Sequence, residues 1–150
     1  MATTFRLLGS ADADTLAQHL AAWHHAEGAA VDPATFHTPV TRLLSDSHAA
    51  HAWLIEQGGT AAGYVVLSFR SPQGTLEPRA YVSALYVKPA HRGRGIGRQA
   101  LHLMADVGQL LQVRVLHFGT DGEDKHAQLL HRRSAPATME RPSLWRYATA

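Results

Sequence analysis

The stretch from Ala80 to Phe118 constrains the fold more than any other part of this sequence. Ala80 to Val87 is almost wholly apolar and ends at Lys88-Pro89. It reads as a strand buried on both faces, stopped where proline removes a backbone donor. Glycines at 93, 95 and 97 follow, and then Ala100, Leu101, Leu103, Met104, Val107, Leu110 and Leu111 form two adjoining apolar rows, with His102, Asp106 and Gln109 opposite them. That spacing predicts an amphipathic helix from Gly97 to Leu111. Val113 to Phe118 is a second buried strand. Together these pieces make a βαβ unit with parallel strands and a right-handed crossover.

Upstream, Phe5 to Leu8 reads as a short strand, and Ser10 offers an N-cap to a helix with Asp12 and Asp14 in its first turn, where negative charge suits the dipole. Leu16, Leu20 and Trp23 give that helix its apolar face, and Gly28 stops it. Asp32 to Asp46 contains Pro33 and Pro39 around a short amphipathic piece at Val40, Leu43 and Leu44, which predicts a broken helix or loop. His51 to Glu56 and Tyr64 to Phe69 are strand-like and flank Gly58-Gly59, where a tight hairpin needs positive φ. Ser71 to Pro78 reads as a loop, Asp124 to Arg132 as a last helix, and Ser143 to Ala148 as a terminal strand. Trp23, Trp53 and Trp145 are assigned to the core. A length of 150 residues fits one domain spanning residues 1–150, of mixed α/β (α+β type) class.

Composition removes several classes of function. The chain has no cysteine, which excludes disulfides, thiolate nucleophiles and cysteine-bound metals. His24-His25, His48 with His51, and His126 with His131 lack an HExxH pattern or a third ligand at metal spacing, so no metal is expected. No GxSxG elbow occurs. Apolar runs fall short of the ~20 residues a membrane helix needs, and the start lacks a basic and apolar export signal, so a cytoplasmic protein without membrane contact is expected. Net charge is only +2, which does not call for nucleic acid as a partner.

Positive charge is instead concentrated. Lys88, Arg92, Arg94 and Arg98 surround the glycines at 93, 95 and 97. A helix that opens after glycines presents backbone N–H groups at its positive end, with no Cβ to hold an anion away. The arginines add charge-assisted contacts to phosphate oxygens. The P-loop ending Gly-Lys-Ser/Thr is absent, and the GxGxxG spacing of dinucleotide folds is not met. Arg92-Gly93-Arg94-Gly95-Ile96-Gly97 is an RxxGxG motif directly after a strand ending Leu85-Tyr86-Val87.

In this motif and its context the sequence resembles the GCN5-related N-acetyltransferase (GNAT) family. The resemblance implies a mixed, twisted central sheet with flanking helices. It also implies acetyl-CoA as cosubstrate, with its diphosphate on Arg92, Gly93, Arg94, Gly95, Ile96, Gly97 and Arg98 and its pantetheine beside Leu85 and Val87. Asp124 stands at a further cofactor position. An acetyl group would pass by direct attack to the primary amine of a small molecule or peptide, and a strand amide at Tyr86 or its neighbour would stabilise the oxyanion.

The sequence departs from the family pattern at the acid and base. Ala84 and Tyr81 occupy positions where many members carry Glu, and His131 stands where relatives place an acidic Tyr. Candidate bases are Glu77 and His117, with a water chain as a third route. A non-catalytic acyl-CoA-binding domain on the same fold is the alternative, and an RNA-binding module using the basic loop is a third reading. A homodimer is neither required nor excluded by the sequence.

Overall fold

The computed structural model describes residues 2–26, 28, 32–70, 79–113, 115–119, 137–141 and 144–148. Its strands are β1 (Thr3–Leu7), β2 (Ala50–Gln57), β3 (Thr60–Arg70), β4 (Arg79–Val87), β5 (Val115–Gly119), β6 (Ala137–Arg141) and β7 (Leu144–Ala148). The helices are α1 (Ala13–Ala26), α2 (Pro33–Ser45) and α3 (Ile96–Leu110). The strands form one sheet in the order β1-β2-β3-β4-β5-β7-β6. All neighbours are antiparallel except β4 and β5.

The predicted βαβ unit is present, with β4 in the middle of the sheet order and α3 as the crossover. Leu101 and Met104 of α3 pack with Val65, Leu67, Ala80, Val82 and Leu116 on one sheet face. Alternation turns Val66, Tyr64, Ala84 and Tyr86 to the other face. There Leu16, Leu20 and Trp23 of α1 and Val40 of α2 cover them. The result is three layers: a helical pair, the sheet, and α3. No described helix is long and apolar enough to cross a membrane.

The Gly58-Gly59 hairpin forms as predicted, with φ of 59° and 84° and Gln57 opposite Thr60. The segment expected to be broken around its prolines is a continuous thirteen-residue helix, α2. Pro33 sits in its first turn and the Asp32 carboxylate accepts from the Ala34 N–H at 3.0 Å, an arrangement that favours initiation. Pro39 and Thr35 are both exposed, so the carbonyl that proline deprives of its donor can turn to water. Burial of Val40, with Phe36, Leu43 and Leu44 against the same cluster, holds the helix together.

Ser10 likewise differs from its expected capping role. It begins a short 3-10 turn, Ser10–Asp12, and the Asp12 carboxylate reaches back to the Gly9 N–H at 2.8 Å. That bond, with Arg6 beside it, holds the Asp12 carboxyl below the usual range. Strand β6 was not predicted; it pairs with β7 in an antiparallel hairpin.

One close approach pins β3 to β4. A Cβ on Gly63 would overlap the backbone carbonyl of Tyr86. Because the obstacle is backbone at the centre of the sheet, it cannot rotate away as a side chain could. Gly63→Ala is therefore expected to destabilise the protein by about 3 kcal/mol, the upper end of ordinary overpacking. The midpoint of urea unfolding measures it.

Candidate active site

The site begins where β4 ends. After Lys88 the chain makes a 3-10 turn, Pro89–His91, and Gly93 and Gly95 then adopt left-handed conformations with φ of 78° and 80°. Glycine enters that region without the penalty a Cβ imposes. Gly95 is the N-cap of α3 and has no side chain to occupy the first-turn amides. The Gln99 N–H donates to the Gly95 carbonyl at 3.0 Å, the bond that opens the regular ladder of α3. The amides ahead of it point out of the helix end, and Gly93 and Gly95 leave open space where a Cβ would stand. Ile96 is buried and anchors the first turn beside Ile55, Ala62 and Ala100.

The arginines around this loop differ in their attachments. Arg92 donates from Nε to the Val87 carbonyl at 2.7 Å, and its guanidinium carbon lies 5.5 Å from the centre of the Tyr86 ring. Arg94 donates from Nη1 to Gln57 Oε1 at 3.0 Å. Arg98 is exposed on the first turn of α3. Arg92 and Arg94 thus also hold the shape of the loop.

The second element is the limited contact between β4 and β5. Among the described residues their parallel ladder joins only Ala80 to Leu116, Tyr81 to His117 and Val82 to Phe118. On its other side β4 stays paired with β3 as far as Val87. The Lys88 N–H bonds to the Ala62 carbonyl at 2.7 Å, which fixes the parity of that edge. Alternation directs the peptide groups of Tyr86 to β3 and those of Leu85 and Val87 away from it. The register shift between Val66 and Leu67, which leaves no β3 residue directly opposite Ser83 in the ladder, changes the course of β4 where its ladder with β5 ends.

Aromatic and polar side chains share the α1 and α2 face of the sheet there. Trp23 stacks on Tyr64 with ring centres 5.8 Å apart and on Tyr86 at 5.3 Å, and His19 stacks on Trp23 at 5.2 Å. Burial raises the Tyr64 pKa, while burial first, and then the positive charge of Lys88, lowers that of His19. Farther along β4, the rings of Tyr81 and His117 stack at 5.0 Å, and Ser68 Oγ lies 2.8 Å from Ser83 Oγ. His117 retains only 7% of its exposure. It sits one ladder position before the β4–β5 pairing ends.

Glu77, Asp124 and His131, which the sequence singled out, lie outside the described residues. Among the described residues no group of three His, Asp or Glu could hold a metal ion. Sequence reasoning missed Gln57. A polar residue closing the apolar strand before Gly58-Gly59 was the available signal, but no spacing rule ties it to His91 or Arg94.

A mixed sheet with this order, covered by helices on both faces and carrying a glycine-opened α3 after β4, defines an acyltransferase fold. The model of the acetyltransferase (GNAT) family matches residues 14–135, and the chain belongs to that family. A candidate acetyltransferase from Arthrobacter sp. FB24 superimposes with a TM-score of 0.72 at 27% identity, over 86% of this chain and 81% of that one. A ribosomal-protein-alanine N-acetyltransferase from Brucella melitensis biovar Abortus 2308 gives a TM-score of 0.72 at 24% identity, over 92% of this chain and 94% of that one. An aminoglycoside acetyltransferase from an uncultured soil metagenomic sample reaches 0.77 at 14% identity, over 93% of this chain and 91% of that one. No curated protein matches the sequence significantly.

Proposed function

We propose that the protein is an acetyl-CoA-dependent N-acetyltransferase that acetylates a primary amine by direct attack. The observation that carries this reading is the early end of the β4–β5 ladder beside the glycine-opened N-terminus of α3, in a chain of the GNAT family. When bound, acetyl-CoA supplies the thioester whose acetyl group passes to the amine nitrogen as its C–S bond breaks.

The first-turn amides of α3, the left-handed glycines and Arg98 receive the diphosphate. Arg92 and Arg94 add their charge while keeping the loop in shape. The peptide groups of Leu85 and Val87 face away from β3 and pair with the pantetheine arm as an added strand would. Of the two strand amides expected for the oxyanion, at Tyr86 or its neighbour, the Tyr86 amide faces β3, which favours the neighbour.

An alkylammonium acceptor, with a pKa of ~10, must lose a proton before it attacks. His117, stacked on Tyr81 beside the end of the ladder, is the described group best placed to accept that proton through a water. Glu77 is the other candidate base. His131 is the proposed acid that protonates the departing thiolate. The two structural neighbours named for an acceptor differ in that acceptor, and at their low identities they inform the fold alone. The acceptor class is a matter for screening.

Calorimetric titration with acetyl-CoA and with CoA, followed by an amine panel with thiol release as readout, tests the proposal. Binding at tens of micromolar or tighter, with one thiol released per amine acetylated, is the expected result. Folded protein that binds neither ligand would overturn it. The replacement of the family carboxylates by Ala84 and Tyr81 favours a second reading, a non-catalytic acyl-CoA-binding domain. That reading predicts binding of acetyl-CoA without release of its thiol in the presence of any amine.

A further inference from the structure

Gln57 is one of two buried polar residues among the described residues, with 6% of its surface exposed. It ends β2, more than thirty positions before the glycine loop, yet its Oε1 lies 2.8 Å from His91 Nδ1 and 3.0 Å from Arg94 Nη1. A guanidinium can only donate, so the Gln57 atom facing it is the carbonyl oxygen and not the amide nitrogen. The same oxygen faces His91, and His91 Nδ1 must therefore carry a proton. Both lone pairs of one buried oxygen are then used on two residues that bracket Arg92 and Gly93.

We propose that Gln57 is a positioning residue for the acyl-CoA site, fixing the glycine loop through a two-pronged acceptor and holding His91 in its Nδ1–H tautomer. This inference rests on the acetyl-CoA reading above. The physical argument concerns entropy. Gly93 and Gly95 give the loop its left-handed turns but also give it the largest conformational freedom to lose. An anion site assembled from backbone amides binds well only when those amides already converge. Arg94 lies between the two glycines, and anchoring its side chain on the end of a paired strand limits both of them. His91 adds a second anchor on the preceding turn. Neither anchor reaches the reacting atoms, so the effect falls on cosubstrate binding and not on the chemical step.

Two variants test this. Gln57→Met keeps the length and most of the volume but removes the acceptor, whereas Gln57→Glu keeps an acceptor oxygen in place. Gln57→Met is expected to bind CoA about tenfold more weakly, with kcat at saturating acetyl-CoA within about twofold of the parent. Gln57→Glu, which keeps the acceptor but offsets the charge of Arg94, should bind CoA more tightly than Gln57→Met and more weakly than the parent. Thermal unfolding of both variants establishes that the protein remains folded. Independently of any ligand, long-range proton–nitrogen spectra of labelled protein at about pH 8.5 should show His91 protonated at Nδ1 and bare at Nε2. That preference should relax in Gln57→Met. Unchanged CoA affinity in folded Gln57→Met, or an Nε2–H tautomer in the parent protein, would overturn the inference. Failure of the parent protein to bind CoA would instead count against the acetyl-CoA reading, while the tautomer still reports on the anchor itself.

Discussion

Gly95→Asp is expected to weaken CoA binding by about 10²-fold or more while leaving the protein folded, and Gly95→Asn to weaken it by about tenfold or less. Gly95 sits at φ 80°, ψ 9°, with no atom within 4 Å of the place a Cβ would take, so either side chain has room. Asn and Asp both tolerate the left-handed region better than other residues with a side chain. A carboxylate beside the first turn of α3 is favourable to the helix itself. The two variants therefore differ mainly in charge. Two unit charges about 5 Å apart at an effective dielectric near ~20 repel by about 3 kcal/mol, a factor of about 10² in affinity. Calorimetry on the pair reads that difference directly. If Gly95→Asp bound CoA as the parent protein does, the diphosphate would have to lie elsewhere.

The second large effect is expected at His117. Its replacement by Gln should lower kcat by about 10²-fold, within the range general base catalysis supplies, and leave the Kd for CoA within about twofold. Tyr81→Phe retains a ring for His117 to stack on and removes only a hydroxyl, so a smaller loss in kcat is expected from it. A histidine that serves packing alone would show the opposite pattern, with lowered stability and an unchanged kcat in the folded fraction. Single-turnover measurement of acetyl transfer, set beside a CoA titration of each variant, distinguishes the two cases. Because His117 lies on the sheet face opposite Leu116, its loss should leave the α3 side of the core intact.

Much of this arrangement was legible in the order of the residues because the signals are local. The apolar run of β4, the glycines at 93 and 95 and the paired apolar rows of α3 each follow from periodicity or from backbone sterics within a few positions. The Gly58-Gly59 turn is legible for the same reason. The prolines of α2 misled because local propensity counts a missing hydrogen bond, whereas exposure of Pro39 and burial of Val40 decide its consequence. Strand β6 carries too weak a pattern by itself and takes its place from pairing with β7.

The sequence by itself determined the βαβ unit, the glycine-opened helix after β4 and the concentration of positive charge beside it. Only the tertiary structure decided which groups meet there. Tyr81 and His117 are brought together by a parallel ladder across the α3 crossover, and Gln57 reaches His91 and Arg94 by way of the sheet order. Arg94 is likewise tied into the turn by a partner distant in sequence. The reason is that periodicity records which side of an element is apolar, whereas side-chain chemistry depends on neighbours that register and strand order alone supply.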